Sequence, residues 1–354
     1  GVRRSGKTTL SKMLGDHLYL NCDLPSVKRR LEDPEGYFEG VEKRKLIVMD
    51  EVHRLDDPSQ VLKIAADEYP DLRILATGSS TLEATSKFKD SLTGRKTSIY
   101  LPPVLWDECR EIFEITDLDK RLLNGGLPEM LLSSQKDMTY YAEWLDSFYA
   151  RDVQELFRVR NRSGYMSLMR LLLINSGNLI EQTQLSKHTG LTRPTVISYL
   201  NSLSISNFIY LLPPFHGGGK REITQRLKCY AFDTGFVTFA KGWNDIRDDD
   251  RGLLWEHLVL DMLRTHVLPN DIFYWRNKSG YEIDFVVKRK NHTADVFECK
   301  INPAHYAAKQ LISFREIYPK GRNFCICPFI QKPYHIKAGG MLVEIISDLK
   351  EVYP

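Results

Sequence analysis

The sequence predicts an α/β protein in which a parallel sheet comes first, a helical region follows, and a second α/β domain ends the chain. Three observations predict this order. Short apolar runs that end in polar or acidic residues occur early, and such runs are typical of buried parallel strands. Apolar residues then recur at helical spacing in the middle of the chain. Strands with alternating polarity return in the last third.

Length and composition indicate a globular protein with more than one core. The chain has 354 residues, and a domain typically has about 150. A net charge of only +3 excludes a histone-like or polybasic protein. The six cysteines form no CxxC pair, which argues against a metal finger and favours a reducing compartment. We find no signal peptide and no apolar run long enough to cross a bilayer, so we expect a cytoplasmic protein without a membrane partner.

The first element is a glycine-rich pattern, Gly1-Val-Arg-Arg-Ser-Gly-Lys-Thr-Thr9, which fits the Walker A motif G-x-x-x-x-G-K-[ST]. Its backbone N–H groups and the helix that follows are suited to surround a phosphate. Lys7 is expected to reach the β- and γ-phosphates of ATP, and the Thr8 hydroxyl to contact Mg²⁺. The predicted nucleotide-binding residues of this loop are Gly1, Arg3, Arg4, Ser5, Gly6, Lys7, Thr8 and Thr9.

Two further expectations concern the same loop. Arg3 and Arg4 are expected to face solvent or an adjacent domain, because the loop uses its backbone to hold phosphate. The strand that normally leads into such a loop is missing before Gly1, so we expect the sequence to be the remainder of a longer protein.

A second motif, Lys45-Leu-Ile-Val-Met-Asp-Glu51, reads as a buried strand with two acids at its carboxyl end, as in Walker B. Asp50 is expected to hold Mg²⁺, and Glu51 to orient and deprotonate the attacking water. A third strand is predicted from Leu72 to Thr77. Thr77 at its end and Ser79 just after it are alternative candidates for a sensor of the γ-phosphate. The three elements together predict a P-loop NTPase.

Several motifs down the chain resemble one prokaryotic family. They are the nucleotide-binding motifs above together with S-L-T-G-R (91–95), N-G-G-L-P-E (124–129), Y-A-R-D-V (149–153), F-D-T-G (232–235) and Y-W-R-N-K-S-G-Y-E-I-D-F (274–285). The chain is similar to predicted AAA+-superfamily ATPases of bacteria and archaea that carry a C-terminal domain of unknown function. Arg95 is the candidate arginine finger or sensor, because a cation is needed where charge develops on the transferred phosphoryl group. A surface arginine is the alternative, and action within one subunit or across a homo-oligomer stays open.

The middle of the chain predicts helices over 106–178 and then a winged helix-turn-helix over 179–222. Here two short helices are joined by a glycine turn at Gly190 and followed by an apolar strand. The residues available for DNA are Arg193, Thr195, Ser198 and Asn201 on the second helix, with Lys220 and Arg221 on a basic wing. Winged helices also bind proteins, so a protein partner remains the alternative to DNA.

The last predicted domain, 223–354, carries acids on two neighbouring strands. Side chains alternate along a strand, so Glu298 and Lys300 share one face, and Asp284 on the preceding strand points to the same place. A preceding helix brings Glu256 toward them. This arrangement resembles the PD-(D/E)XK nuclease superfamily, particularly its Holliday-junction-resolvase-like members.

The nuclease resemblance implies a role for each of these residues. Asp284 and Glu298 would bind a second Mg²⁺ or a Mn²⁺ together with the Cys299 carbonyl. Lys300 would orient or activate the attacking water, and Glu256 would support the metal. The sequence leaves open whether this domain cuts nucleic acid, since a nuclease fold also serves binding or assembly.

The sequence therefore supports two hypotheses, and both assign an ATPase domain to residues 1–105. In the first, the nucleotide state controls engagement of DNA by the winged helix and a metal-dependent nuclease-like domain. In the second, the protein is a nucleotide-dependent switch that binds protein partners and whose nuclease-like domain is inactive.

Overall fold

The structure is a computed structural model that describes residues 1–78, 92–157, 159–216, 226–350 and 352–353. It divides into two compact units. The first unit consists of Gly1–Leu101, Leu145–Arg158 and Ile205–Asn207. The second consists of Pro102–Trp144, Val159–Ser204 and Phe208–Pro354. The helical, winged-helix and nuclease-like segments that the sequence separates thus lie mostly within one compact unit.

The first unit is built on a three-stranded parallel sheet with helices around it. The strands, in sheet order, are β1 (His17–Asn21), β2 (Leu46–Asp50) and β3 (Arg73–Ala76). The helices of this segment are α1 (Lys7–Lys12), α2 (Pro25–Arg30), α3 (Pro34–Glu39) and α4 (Pro58–Glu68), with a 3₁₀ turn at Val52–Arg54. The predicted α/β architecture with a parallel sheet is therefore confirmed for this part of the chain.

The apolar run of β2 forms this sheet because its side chains are buried on both faces. Ile47, Val48 and Met49 are fully buried, as a central parallel strand requires. Asn21 on β1 pairs with Asp50 on β2, so the carboxyl ends of the strands lie side by side. Polar residues that follow the strands are thereby brought to one edge of the sheet, where ligands bind in open α/β sheets.

Helices dominate the stretch that follows. They are α5 (Trp106–Glu111), α6 (Leu118–Asn124), α7 (Pro128–Leu132), α8 (Met138–Phe148), a π-helix (Tyr149–Val153), α9 (Gln154–Phe157) and α10 (Arg162–Ile174). Trp144 is fully buried within the second unit and stacks on Phe232, with ring centroids 4.8 Å apart. The helical periodicity of this stretch thus reflects a packed aromatic core.

Two of the sequence motifs meet in the core of the second unit. Asp233 of F-D-T-G accepts hydrogen bonds from the backbone N–H groups of Gly126 (2.6 Å) and Gly235 (2.8 Å). A Cβ on Gly125, which has φ +78°, would lie 1.9 Å from the Asp233 carboxylate. Only glycine is compatible with that approach and that backbone conformation. The N-G-G and F-D-T-G motifs therefore have a structural explanation, which is the binding of one buried carboxylate.

A compact antiparallel element follows α10. It consists of β4 (Asn178–Leu179), α11 (Gln182–Thr189), α12 (Arg193–Ile205), β5 (Ile209–Leu212) and β6 (Lys228–Ala231), with strand order β4-β6-β5. Gly190 ends α11 in the left-handed conformation, with φ +67°, which favours glycine. Val196, Leu200 and Leu203 of α12 are buried, as their spacing predicts.

The chain then forms a six-stranded mixed sheet. The helices in this part of the chain are α13 (Thr234–Lys241), α14 (Asp248–His266) and α15 (Ala308–Arg315). Its strands are β7 (Ile272–Arg276), β8 (Glu282–Lys288), β9 (Ala294–Cys299), β10 (Asn323–Ile326), β11 (Tyr334–Ala338) and β12 (Met341–Ile346), in sheet order β11-β12-β10-β9-β8-β7. Strand β9 is antiparallel to β8 and parallel to β10. Ile283, Phe285 and Val287 are fully buried, and Asp284 between them points to the other face of the sheet.

None of the helices in the described residues combines the length and the apolar character needed to cross a membrane. All six cysteines are buried free thiols.

Candidate functional sites

The glycine-rich loop leads directly into helix α1. Gly6 has φ +95° and begins this helix, a conformation that glycine adopts without a steric cost. Lys7 Nζ donates hydrogen bonds to the backbone carbonyls of Gly1 (3.1 Å) and Val2 (2.7 Å), so the lysine lies across its own loop. Burial lowers the pKa of Lys7, and the carboxylates of Glu51, Asp152 and Asp50 oppose that effect.

Asp50 is the centre of a hydroxyl cluster at the carboxyl edge of the sheet. Its Oδ2 accepts hydrogen bonds from Thr8 Oγ1 (2.8 Å) and from the Tyr19 hydroxyl (2.6 Å). Its Oδ1 accepts a hydrogen bond from Thr77 Oγ1. Burial raises the pKa of Asp50, but these hydrogen bonds outweigh burial and hold the pKa below its usual value. Asp50 is therefore an ionised carboxylate beside the Walker A threonine, which suits a hard cation.

Glu51 follows Asp50 in a strained backbone conformation. Its φ of +56° lies in the left-handed region, which costs a non-glycine residue roughly 1–2 kcal/mol. Its N–H donates to Thr77 Oγ1 at 3.2 Å, and its Oε2 lies 3.3 Å from His53 Nδ1. Burial and the neighbouring Asp50 raise the pKa of Glu51, while Lys7 lowers it. A carboxylate with a raised pKa is a better proton acceptor near neutral pH.

The Walker A loop also forms an ion pair with the π-helix of the first unit. Arg3 Nη1 lies 3.2 Å from Asp152 Oδ2, and Asp152 also acts electrostatically on Lys7. Arg3 therefore has a partner within its own unit, whereas Arg4 is exposed. Ser5 Oγ is buried and has no hydrogen-bond partner among the described residues.

The candidate sensors and the candidate finger differ in what the structure describes. Thr77 lies next to Asp50 and Glu51, as described above. Ser79 lies outside the described residues. Arg95 forms an ion pair with Asp67 on α4, and that pair lowers the pKa of Asp67.

The second unit contains a separate cluster of acids and lysines on its larger sheet. Lys300 Nζ lies 3.1 Å from Glu298 Oε2 and 3.9 Å from Asp284 Oδ2. It also donates to the carbonyl of Cys299 at 3.1 Å. The Cys299 N–H donates to Asp284 Oδ2 at 2.8 Å, which fixes this carboxylate between the two strands. The structure thus brings together Asp284, Glu298 and Lys300, as the strand alternation predicts.

One atom of this cluster has unsatisfied hydrogen-bonding capacity. Glu298 is only 4% exposed, and its Oε1 has no hydrogen-bond partner in the part of the chain that the structure describes. Burial and the nearby Asp284 raise the pKa of Glu298. A buried carboxylate oxygen without a partner is costly unless a ligand completes it.

Glu256 joins the cluster through residues that the sequence does not single out. Its Oε2 accepts a hydrogen bond from the Tyr230 hydroxyl (2.9 Å) and lies 3.1 Å from Lys228 Nζ. Lys228 also lies 2.8 Å from Glu282 Oε1. Burial and Asp284 raise the pKa of Glu256. Lys228 and Tyr230 both belong to β6, so this strand contributes directly to the cluster.

A metal centre of three or more His, Cys, Asp or Glu side chains is absent from the described ranges. The candidate ligands of a divalent cation are therefore the two carboxylates Asp284 and Glu298 and the Cys299 carbonyl. All three provide oxygen ligands of the kind that Mg²⁺ and Mn²⁺ accept.

The second helix of the antiparallel element exposes the residues that the sequence assigns to DNA contact. Arg193, Ser198 and Asn201 of α12 are exposed, and Thr195 is half-buried. The wing residues Lys220 and Arg221 lie outside the described residues.

The parallel sheet with its loop and paired acids defines the first unit as a P-loop nucleotide-binding domain. Residues 1–110 match the model of the AAA domain family (AAA_14), so this segment is similar to AAA domains. Residues 115–247 match a domain of unknown function, DUF8612. Residues 251–344 match another, DUF4143, so the nuclease resemblance of that region stays a prediction.

Two curated relatives, each named an uncharacterized protein, are similar to this chain. They are Rv2008c of Mycobacterium tuberculosis and Mb2031c of Mycobacterium bovis. Each is 28% identical over 300 residues, which span 81% of this chain and 66% of the relative. This chain thus spans somewhat less than two thirds of each relative's length.

Solved structures give a weaker similarity. Two mutant forms of RuvB from Thermotoga maritima align with 64% of this chain and 82% of theirs, at 16% identity. The TM-scores are 0.29 and 0.27. Scores this low do not establish a shared fold.

Proposed function

We propose that the protein binds and hydrolyses ATP with Mg²⁺, and that its nucleotide state controls engagement of DNA. The observation that carries the ATPase proposal is the Asp50 carboxylate, which accepts a hydrogen bond from Thr8 of the Walker A loop at 2.8 Å. Glu51 follows it at the same edge of the sheet. These are the two acids that Mg²⁺ binding and water activation require.

The chemistry assigns a task to each residue. Lys7 neutralises the β- and γ-phosphates, and the Thr8 hydroxyl and Asp50 hold the cation. Bound Mg²⁺ offsets the charge that develops on the phosphate oxygens. Glu51 accepts a proton from water as the water oxygen bonds to the γ-phosphorus and the bond to the ADP oxygen breaks. Thr77 positions both acids through its hydroxyl.

We expect Lys7→Ala to lose most ATP hydrolysis, because the lysine supplies the charge that binds the phosphates. The measurement is phosphate release with Mg²⁺ and ATP, with Lys63→Ala, an exposed lysine of α4, as the control. Equal rates for Lys7→Ala and the wild type would refute the ATPase assignment.

DNA engagement is the next part of the proposal. The antiparallel element has the order of a winged helix, since α11 and α12 are followed by the paired strands β5 and β6. Its helix α12 exposes Arg193 and Asn201, which suit contacts to phosphate and base edges. A protein partner on the same helix is the competing interpretation.

We expect binding of DNA to weaken steeply as salt rises, because phosphate contacts release counterions. Arg193→Ala should reduce the slope of log K against log salt by about 1. Arg170→Ala, another exposed arginine of the second unit, should leave the slope unchanged. The measurement is a gel-shift titration at several salt concentrations. A flat and weak response would favour the protein-interaction switch.

A metal-dependent nuclease is a second candidate function of the same chain. The observation that favours it is the buried Oε1 of Glu298, which lies beside Asp284 and Lys300 and has no hydrogen-bond partner within the described ranges. Asp284, Glu298 and the Cys299 carbonyl would hold Mg²⁺ or Mn²⁺, and Glu256 would support them. Lys300 would orient the attacking water and offset charge on the phosphate. The expected reaction is slow cleavage of junction or single-stranded DNA with Mn²⁺.

A further inference from the structure

Strand β6 inserts a lysine into the acidic cluster of the second unit. Lys228 is 5% exposed, and its Nζ lies 2.8 Å from Glu282 Oε1 and 3.1 Å from Glu256 Oε2. The Tyr230 hydroxyl shares Glu256 Oε2 with it. An ammonium has three donors and no acceptor, so Lys228 bridges the two carboxylates, and Arg276 Nη1 lies 3.5 Å from the other Glu282 oxygen, Oε2.

The cluster therefore has two unlike halves. Lys228 and Tyr230 already satisfy the oxygens of Glu256 and Glu282 that face them. Glu298 Oε1 in the other half has no hydrogen-bond partner among the described residues. Among the described residues of the cluster, the half formed by Asp284 and Glu298 is thus the one that retains a buried acceptor for a ligand.

Phosphate-transferring metal sites hold either one ion or a pair about 3.5–4 Å apart that shares carboxylates. A pair here would need Glu256 and Glu282 as ligands of the second ion. Lys228 Nζ lies between those two carboxylates, and removing it from them would leave a buried ammonium without a partner. That cost is large for a buried ion pair.

We propose that this cluster binds one divalent cation, on Asp284 and Glu298, and that the Lys228 ammonium occupies the position of a second. This inference rests on the metal site of the proposed nuclease function. It also fits the observation that the described residues contain no group of three acids arranged for a metal. Lys228 is then a positioning residue, which orients Glu256 and Glu282 and sets the number of metal ions.

The test is a Mn²⁺ titration of the full chain without nucleotide, in an Asp50→Asn background that removes the metal ligand of the ATP site. Free Mn²⁺ is counted by electron paramagnetic resonance. We expect one ion per chain with Lys228 present and two with Lys228→Met, because Glu256 Oε2 and Glu282 Oε1 then lose their ammonium partner and accept the second ion. Lys228→Arg, which keeps the charge, should bind one ion.

Lys288→Met is the matched control, since Lys288 is exposed at the end of β8 and should leave one ion bound. Circular dichroism of each variant checks that it is folded, and Lys228→Gln, which also removes the charge, tests the proposal if Lys228→Met does not fold; one ion bound by the folded charge-removing variant would overturn the inference. Two ions bound by the protein with Lys228 or Arg at this position would overturn the inference alone. If the chain binds no Mn²⁺, and Asp284→Ala leaves the concentration of free Mn²⁺ unchanged, the metal site is overturned as well.

Discussion

Glu51→Gln is expected to lower kcat for ATP hydrolysis by about 10²–10⁴-fold, the range that a positioned general base contributes. Glutamine preserves the size of the side chain but cannot accept the proton of the attacking water. The left-handed backbone and the contacts to Thr77 and His53 hold residue 51 in place, so the substitution should leave ATP binding nearly unchanged. The expected signature is a fall in kcat with little change in the Kd for ATP.

The experiment measures steady-state phosphate release and, separately, the binding of a fluorescent ATP analogue. Glu68→Gln is the control, because Glu68 is an exposed acid of the same domain and should have wild-type kinetics. If Glu51→Gln hydrolyses ATP at the wild-type rate, Glu51 is not the base. If the variant no longer binds the analogue, its defect lies in binding, and the expected fall in kcat at an unchanged Kd is refuted.

The sequence predicts the parts of the ATP site that depend on neighbours in the chain. Lys7 and Thr8 follow the loop glycine directly, and Asp50 and Glu51 follow a buried strand, so local pattern suffices to find them. Tyr19 is different, because its hydroxyl reaches Asp50 only once β1 lies beside β2. No local signal separates this tyrosine from an ordinary strand residue.

In the acidic cluster, too, some residues are predicted by local sequence pattern and others meet only through tertiary packing. Asp284, Glu298 and Lys300 share a sheet face because of the two-residue period of their strands, which the sequence displays. Lys228 lies within the range 223–354 that the sequence predicts as the nuclease-like domain, but its strand β6 pairs with β4 and β5 of the antiparallel element. Its contact with Glu256 depends on tertiary packing. A lysine in an otherwise apolar buried strand, Lys228–Ala231, is the signal that could have pointed to it.

Asp152 is a third residue whose contact depends on tertiary packing. Asp152 of the Y-A-R-D-V motif pairs with Arg3 of the Walker A loop. These residues are 149 positions apart, and Asp152 lies in the π-helix Tyr149–Val153. Irregular helical turns change side-chain direction in a way that regular periodicity does not predict.

Asp284→Ala is expected to reduce Mn²⁺-dependent DNA cleavage by at least about 100-fold, which corresponds to about 2.7 kcal/mol. The substitution removes a metal ligand and the acceptor of the Cys299 N–H. It leaves Glu298 Oε2 and Lys300 paired at 3.1 Å. The ATPase rate should stay at the wild-type value, because the nucleotide site belongs to the other compact unit.

The assay follows labelled junction and single-stranded DNA with Mn²⁺, for the wild type, Asp284→Ala and the exposed-acid control Asp249→Asn. We expect the control to cleave like the wild type. Cleavage that persists in Asp284→Ala would exclude this cluster as its source. Failure of the wild type to cut any DNA or RNA form would reduce the domain to a scaffold, in which Lys228 and Lys300 serve only to neutralise buried acids.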